Sequence, residues 1–165
     1  MSTYKDRPNV IPWPPIIYIA AAIAAYGLSV LVPIPDASRQ LLGNAAFYSG
    51  LAVSVAGLGL VIWAAAVMKR HKTTILPHQA ATHLVSQRPF SFSRNPIYLG
   101  DTILLIGLGP IFSNMWFLPA AFLAAFAIHH LVIVREEAHL AAVFEKEWFG
   151  YKSAVPRWLG WPRSS

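Results

Sequence analysis

The sequence predicts an all-α integral membrane protein, with about four transmembrane helices and a C-terminal amphipathic cytoplasmic helix. Three observations lead there. The 165 residues are 56% hydrophobic and only 12% charged, too apolar for an ordinary soluble domain. The apolar residues fall into long runs broken by Pro, Gly and Asn rather than alternating with polar ones. The basic residues gather at the ends of those runs.

Ile16 to Ile34 contains 19 residues without a charge, close to the roughly 20 that carry a helix across a hydrocarbon core. Lys5 and Arg7 precede it, as in a signal peptide, but the run is longer than a typical signal core and is expected to be a retained helix. Ala45 to Met68 is uncharged for 24 residues and carries Gly50, Ser54, Gly57 and Gly59, small residues that admit a close neighbour helix. Ile97 to Phe112 ends in Gly107, Gly109 and Pro110, Ser113 and Asn114 form a turn, and 116–134 is apolar again, so these two segments read as a tight hairpin. The expected spans are therefore 16–34, 45–68, 97–112 and 116–134, with a loop at 69–95 and a C-terminal helix and tail at 135–165, all in one domain covering 1–165.

Four spans put both termini and the 69–95 loop on one side. Of the 13 Lys and Arg residues only Arg39, opposed by Asp36, then falls on the other. Short cytoplasmic loops collect such charges, so both termini are expected in the cytoplasm, in a bacterium at the plasma or inner membrane. The formal charge of +6 follows from this topology and does not call for nucleic acid. Past 134, Leu140, Val143, Phe144 and Phe149 make an apolar face beside Glu136, Glu137, Glu145, Lys146 and Glu147. Trp158 and Trp161 beside Arg157 and Arg163 give the tail an interfacial composition.

Several chemistries are excluded. With no cysteine there is no disulfide framework, thiolate nucleophile or Cys-based zinc site. The six histidines form no HExxH arrangement, and no metal site is expected. Dinucleotide, Walker and nucleophile-elbow signatures are absent.

The dense polar content lies in two blocks, 82–101 and 129–137. Arg94-Asn95-Pro96 marks a helix start, with proline in the first turn and Asn95 placed to cap free N–H groups. Tyr98 and Asp101, three apart, share a face, where Asp101 is hydrated or pairs with Arg94 or Arg135. His129 and Glu136 are seven apart, as are His130 and Glu137, so in a regular helix each pair shares a face. The bland alternative is that these groups pair with one another, with neighbouring helices or with lipid phosphate.

Thr82-His83-Leu84-Val85, Pro89-Phe90, Arg94-Asn95-Pro96-Ile97-Tyr98-Leu99-Gly100, Arg135-Glu136-Glu137 with Leu140 and Phe144, Tyr151, and Val155-Pro156-Arg157-Trp158 together resemble the isoprenylcysteine carboxyl methyltransferase and phospholipid methyltransferase family of membrane enzymes. The resemblance runs from Thr74 to Trp158, and its specificity lies in the order and spacing of the motifs. It implies S-adenosylmethionine as cofactor and a lipophilic methyl acceptor, either an isoprenylcysteine-type carboxylate or a phospholipid amine, with membrane lipids around it and no obligate protein partner. By position it implies that Thr82, His83, Leu84, Val85, Phe90, Asn95, Pro96, Ile97 and Tyr98 wall the cofactor and that Glu136, or Glu137 one register away, is its polar partner. Catalytic candidates are His129, His130, Glu137 and Arg94.

The chain departs from the family pattern at Arg88, where glycine usually precedes the proline, at Glu145, where glycine usually follows phenylalanine, and at Trp148, a frequent tyrosine. Two other classes carry some of these features: an NADPH-dependent membrane reductase of the sterol-reductase type, towards which Trp148 leans, and a non-catalytic lipid-binding membrane protein, which Arg88 and Glu145 would suit.

Overall fold

A computed structural model describes residues 13–35, 37–71 and 84–160. Thr82, His83 and Trp161 lie outside the described residues, as do Asp36 and the Arg39 side chain. The described residues form helices α1 (Trp13–Leu31), α2 (Ala37–Leu42), α3 (Asn44–Arg70), α4 (Pro96–Phe112), α5 (Phe117–Ile128) and α6 (Val134–Ala154).

Small residues decide how α3 meets α4. A methyl group added at Gly57 would lie 2.6 Å from Gly100 O and 2.6 Å from Leu104 N, and one at Gly50 would lie 2.6 Å from Gly107 O. Gly50 opposite Gly107 and Gly57 opposite Gly100 make the pair antiparallel, with the two backbones in contact. Ser54 between them sends its hydroxyl to Leu104 O at 3.4 Å. The expected seam is found, except that Gly59 faces open space.

The hairpin turn also forms where expected. Ser113 takes the left-handed conformation at φ 53°, and the Asn114 side chain accepts the Trp116 N–H at 2.9 Å. The other end of the Asn114 amide reaches across to Ala25 O of α1 at 3.2 Å, and the Trp116 indole donates to Val32 O at 2.8 Å. These bonds tie the far end of α1 to the α4–α5 hairpin. Tyr18 and Ala25 of α1 join Leu105, Phe117, Ala121, Ala124 and Ile128 in the main core.

After α5 the helix does not stop at the expected end of the fourth span. Helix runs through a π-turn at His129–Ile133 straight into α6, giving one rod from Phe117 as far as a kink at Glu145. The run of apolar and helix-favouring residues through 128–144 offers no Gly or Pro to stop it. The irregularity comes later, at Glu145, whose φ of 42° and ψ of −114° break the helical path inside α6. Trp148, 2% exposed, is the large side chain α6 buries beyond that kink, whereas Phe149, expected on the apolar face, is exposed.

Outside the seam and core the helices present bare apolar surface, with Ile19, Ile23, Val55, Ile62, Phe122 and Phe126 all exposed. α1, α3 and the α5–α6 rod are each long and apolar enough to cross a membrane, and α4 is a shorter apolar helix of 17 residues. A surface of this kind suits lipid rather than water.

Candidate active site

The site is built where the start of α4, the middle of the α5–α6 rod and the tail after Ala154 converge. Pro96 begins α4 in the position that favours proline, and Asn95 precedes it as expected. Asn95 does not cap the helix with its side chain, however. Its amide turns the other way and donates to Arg157 O at 2.9 Å, while its own N–H bonds the buried Ser93 hydroxyl at 3.1 Å. The amide is used to hold the tail, because the Arg94 N–H also bonds Pro156 O at 2.9 Å and the two segments run side by side.

Glu137 is the centre of a buried ionic knot. Arg157 grips it through both oxygens, Nε to Oε1 at 2.8 Å and Nη2 to Oε2 at 2.6 Å, and Arg94 adds Nη2 to Oε1 at 3.0 Å. Such paired, charge-assisted bonds are the strong kind. Arg94 also donates to Lys152 O at 3.0 Å and lies 5.6 Å from the centre of the Trp148 ring. Burial lowers the Arg94 pKa, with Glu137 opposing that shift, and the hydrogen bond to Glu137 raises the Arg157 pKa. Both guanidiniums remain cationic. The alternative pairing of Asp101 with Arg94 or Arg135 is not found: Arg94 is taken by Glu137, and Asp101 has no ion pair among the described residues.

Glu136 stands apart from the knot. Tyr98 of α4 donates its hydroxyl to Glu136 Oε1 at 2.8 Å, across 38 residues of chain, and Oε2 has no hydrogen-bond partner among the described residues. The neighbouring carboxylates thus have different environments among the described residues, one held by two guanidiniums and one by a single phenol.

The π-turn changes which side chains meet. In a regular helix His129 would share a face with Glu136, but the π-turn takes up one extra residue and rephases the helix beyond it. Arg157 Nη1 therefore bridges His129 Nε2 at 3.3 Å while its other nitrogens hold Glu137. Because an Arg nitrogen only donates, His129 accepts through Nε2 and carries its proton on Nδ1. His130 is exposed, its ring 4.5 Å from Phe126 and 4.8 Å from His129.

The residues expected to wall one cofactor divide into two groups. Val85 and Phe90 pack with Ala64 and Val67 of α3, with Ile97 and Tyr151 at the margin. Tyr98 lies in the main core beside Ile128 and Val132, and its hydroxyl faces Glu136. Leu84 is partly buried in the loop, and Pro96 is buried. Tyr151 fastens the first group to α6 by donating to Phe90 O at 2.7 Å. The role of Arg157 was not assigned from sequence, although Val155-Pro156-Arg157-Trp158 marked its position. Only the chain's return after α6 brings it to Glu137.

Fold and site together define a helical membrane protein whose polar residues converge at one end of a lipid-facing bundle. The sequence profile of the phospholipid methyltransferase family matches residues 45–147, and the chain belongs to that family of membrane methyltransferases. No curated protein and no solved structure matches it.

Proposed function

We propose that the protein transfers a methyl group from S-adenosylmethionine to a lipophilic acceptor, an isoprenylcysteine-type carboxylate or a phospholipid amine, at the cytoplasmic membrane face. The observation that carries this reading is the Tyr98–Glu136 bond. It joins the two blocks that the motifs assign to the cofactor, and among the described residues it leaves the second carboxylate oxygen without a partner, where a ligand would bind. α4 is read as a fourth span, antiparallel to α3, with both termini cytoplasmic.

The donor set fits this cofactor. When bound, it supplies a methyl group on a positively charged sulfur, which an acceptor lone pair displaces. Glu136 Oε2 would accept a hydrogen bond from an ammonium or ribose hydroxyl group, strengthened by charge. The Tyr98 ring offers a face to a cation, a contact worth about 0.5 to 2 kcal/mol depending on desolvation. The first-turn N–H groups of α4, which the Asn95 side chain leaves uncapped, suit a carboxylate. Val85 and Phe90 would back the pocket as packing, and Thr82 and His83 would complete its wall from the loop.

The knot made by Arg94, Glu137 and Arg157 serves the reading as scaffold. It fastens the tail over the start of α4, which aligns reactants and excludes water. With Glu137 saturated, Glu136 is the cofactor's polar partner. A carboxylate acceptor needs no base, whereas an amine acceptor sheds a proton. His129 Nε2 is engaged by Arg157, which leaves His130 as the base.

Calorimetry with S-adenosylmethionine on the protein in nanodiscs tests the proposal. Glu136→Gln should weaken binding about tenfold or more, as expected for loss of a charged hydrogen bond. Wild-type protein that binds NADPH and not S-adenosylmethionine would overturn it.

A further inference from the structure

We infer that Tyr18 of α1 is a positioning residue for the Tyr98–Glu136 pair, so that the first helix is part of the site's machinery as well as a membrane anchor. Tyr18 precedes the segment 45–147 that the family profile covers.

The geometry is a relay across three helices. The Tyr18 hydroxyl lies 2.9 Å from Tyr98 O and 2.8 Å from Thr102 Oγ1, and the Thr102 hydroxyl donates to Tyr98 O at 2.8 Å. Tyr18, Tyr98 and Thr102 are 9%, 9% and 8% exposed, so water does not compete for these bonds. A phenol has one hydrogen, and either acceptor it chooses, Tyr98 O in the first turn of α4 or Thr102 Oγ1 in the second, holds the start of α4 against α1. From the first turn the Tyr98 side chain reaches out and donates to Glu136 Oε1 at 2.8 Å.

The same contact explains why a polar group sits there at all. A phenol in an apolar helix is left uncompensated unless it finds partners, and Tyr18 finds them on Thr102 and on Tyr98, whose side chain bridges to Glu136. The far end of α1 is fastened separately through Asn114 and Trp116, so α1 is held without Tyr18's hydroxyl. Tyr18→Phe therefore removes a constraint on Tyr98 and keeps the helix in place.

Two measurements on protein in nanodiscs test this inference, and the cofactor arm rests on the proposed function. For S-adenosylmethionine affinity, Tyr18→Phe and Tyr98→Phe should each weaken binding about five- to tenfold, and the double variant should bind no more weakly than Tyr98→Phe alone. Tyr48→Phe, at an exposed position on α3, should bind as wild type. Wild-type affinity in Tyr18→Phe, or a double variant whose loss is the product of the single losses, would overturn the inference. The second measurement needs no cofactor: the Cζ carbon resonance of Tyr98, identified by its disappearance in Tyr98→Phe. Glu136→Gln should move it by removing the carboxylate, and Tyr18→Phe should move it in the same direction. If the wild type binds no S-adenosylmethionine, the cofactor reading fails and this resonance alone decides. A Tyr98 signal unmoved by Tyr18→Phe overturns the positioning role.

Discussion

Arg157 holds Glu137 through both carboxylate oxygens, at 2.8 and 2.6 Å, from 20 residues further along the chain. Removing the carboxylate leaves Arg94, whose side chain is 8% exposed, as a buried cation without a counter-ion. Glu137→Ala is therefore expected to lose about 3 kcal/mol or more. Arg157 is 31% exposed, and its removal leaves Arg94 on Glu137, so Arg157→Ala should lose only about 1 kcal/mol. Unfolding by SDS titration in mixed micelles measures both, and equal losses would contradict the central place of Glu137.

The α3–α4 seam makes a prediction by contrast. Gly57→Ala drives a methyl group into the backbone of Gly100 and Leu104 and should destabilise by about 1 to 3 kcal/mol. Gly59→Ala, two residues away, meets nothing within 4 Å and should be neutral or stabilise by up to about 1 kcal/mol through helix propensity. Thermal unfolding of the two variants in one detergent checks the difference.

Glu145 occupies a backbone conformation, φ 42° and ψ −114°, that a side chain disfavours and glycine tolerates. Glu145→Gly should relieve about 1 kcal/mol of strain and raise the unfolding midpoint. A lower midpoint would show that the carboxylate contributes more than the backbone conformation costs.

His130 offers a test of acceptor chemistry. Replacing it with alanine should lower turnover of an amine acceptor by about a hundredfold and leave a carboxylate acceptor unaffected. Methyl transfer measured with both acceptor types distinguishes these outcomes, and equal effects on the two would remove His130 as the base.

Much of the architecture was legible because it is local. Uncharged runs announced α1 and α3, an apolar run interrupted by Asp101 announced α4, glycines at helical spacing announced the seam, and Asn95-Pro96 announced the start of α4. Arg94 and Glu137 were legible as candidates, since a charged group beside an apolar span needs a reason. Their partnership with Arg157 was not, because it depends on the chain doubling back after Ala154, and no periodicity encodes a return. The π-turn was hidden for a similar reason: His129–Ile133 has an ordinary helical composition, and the extra residue is visible only in which groups meet. The strained Glu145 was foreshadowed by the glycine that the family pattern places there.

The π-turn also makes chain length a determinant of the site. Each residue of a helix advances it by about 100°, so deleting any one residue between 129 and 133 would wind the rod back into ordinary register and swing Glu136 and Glu137 around its axis together. The knot and the Tyr98 contact would be lost with every charged side chain still present. A family alignment that closes this gap would hide the difference, and substitution scanning would miss it. Here the count of residues carries information that their identities do not.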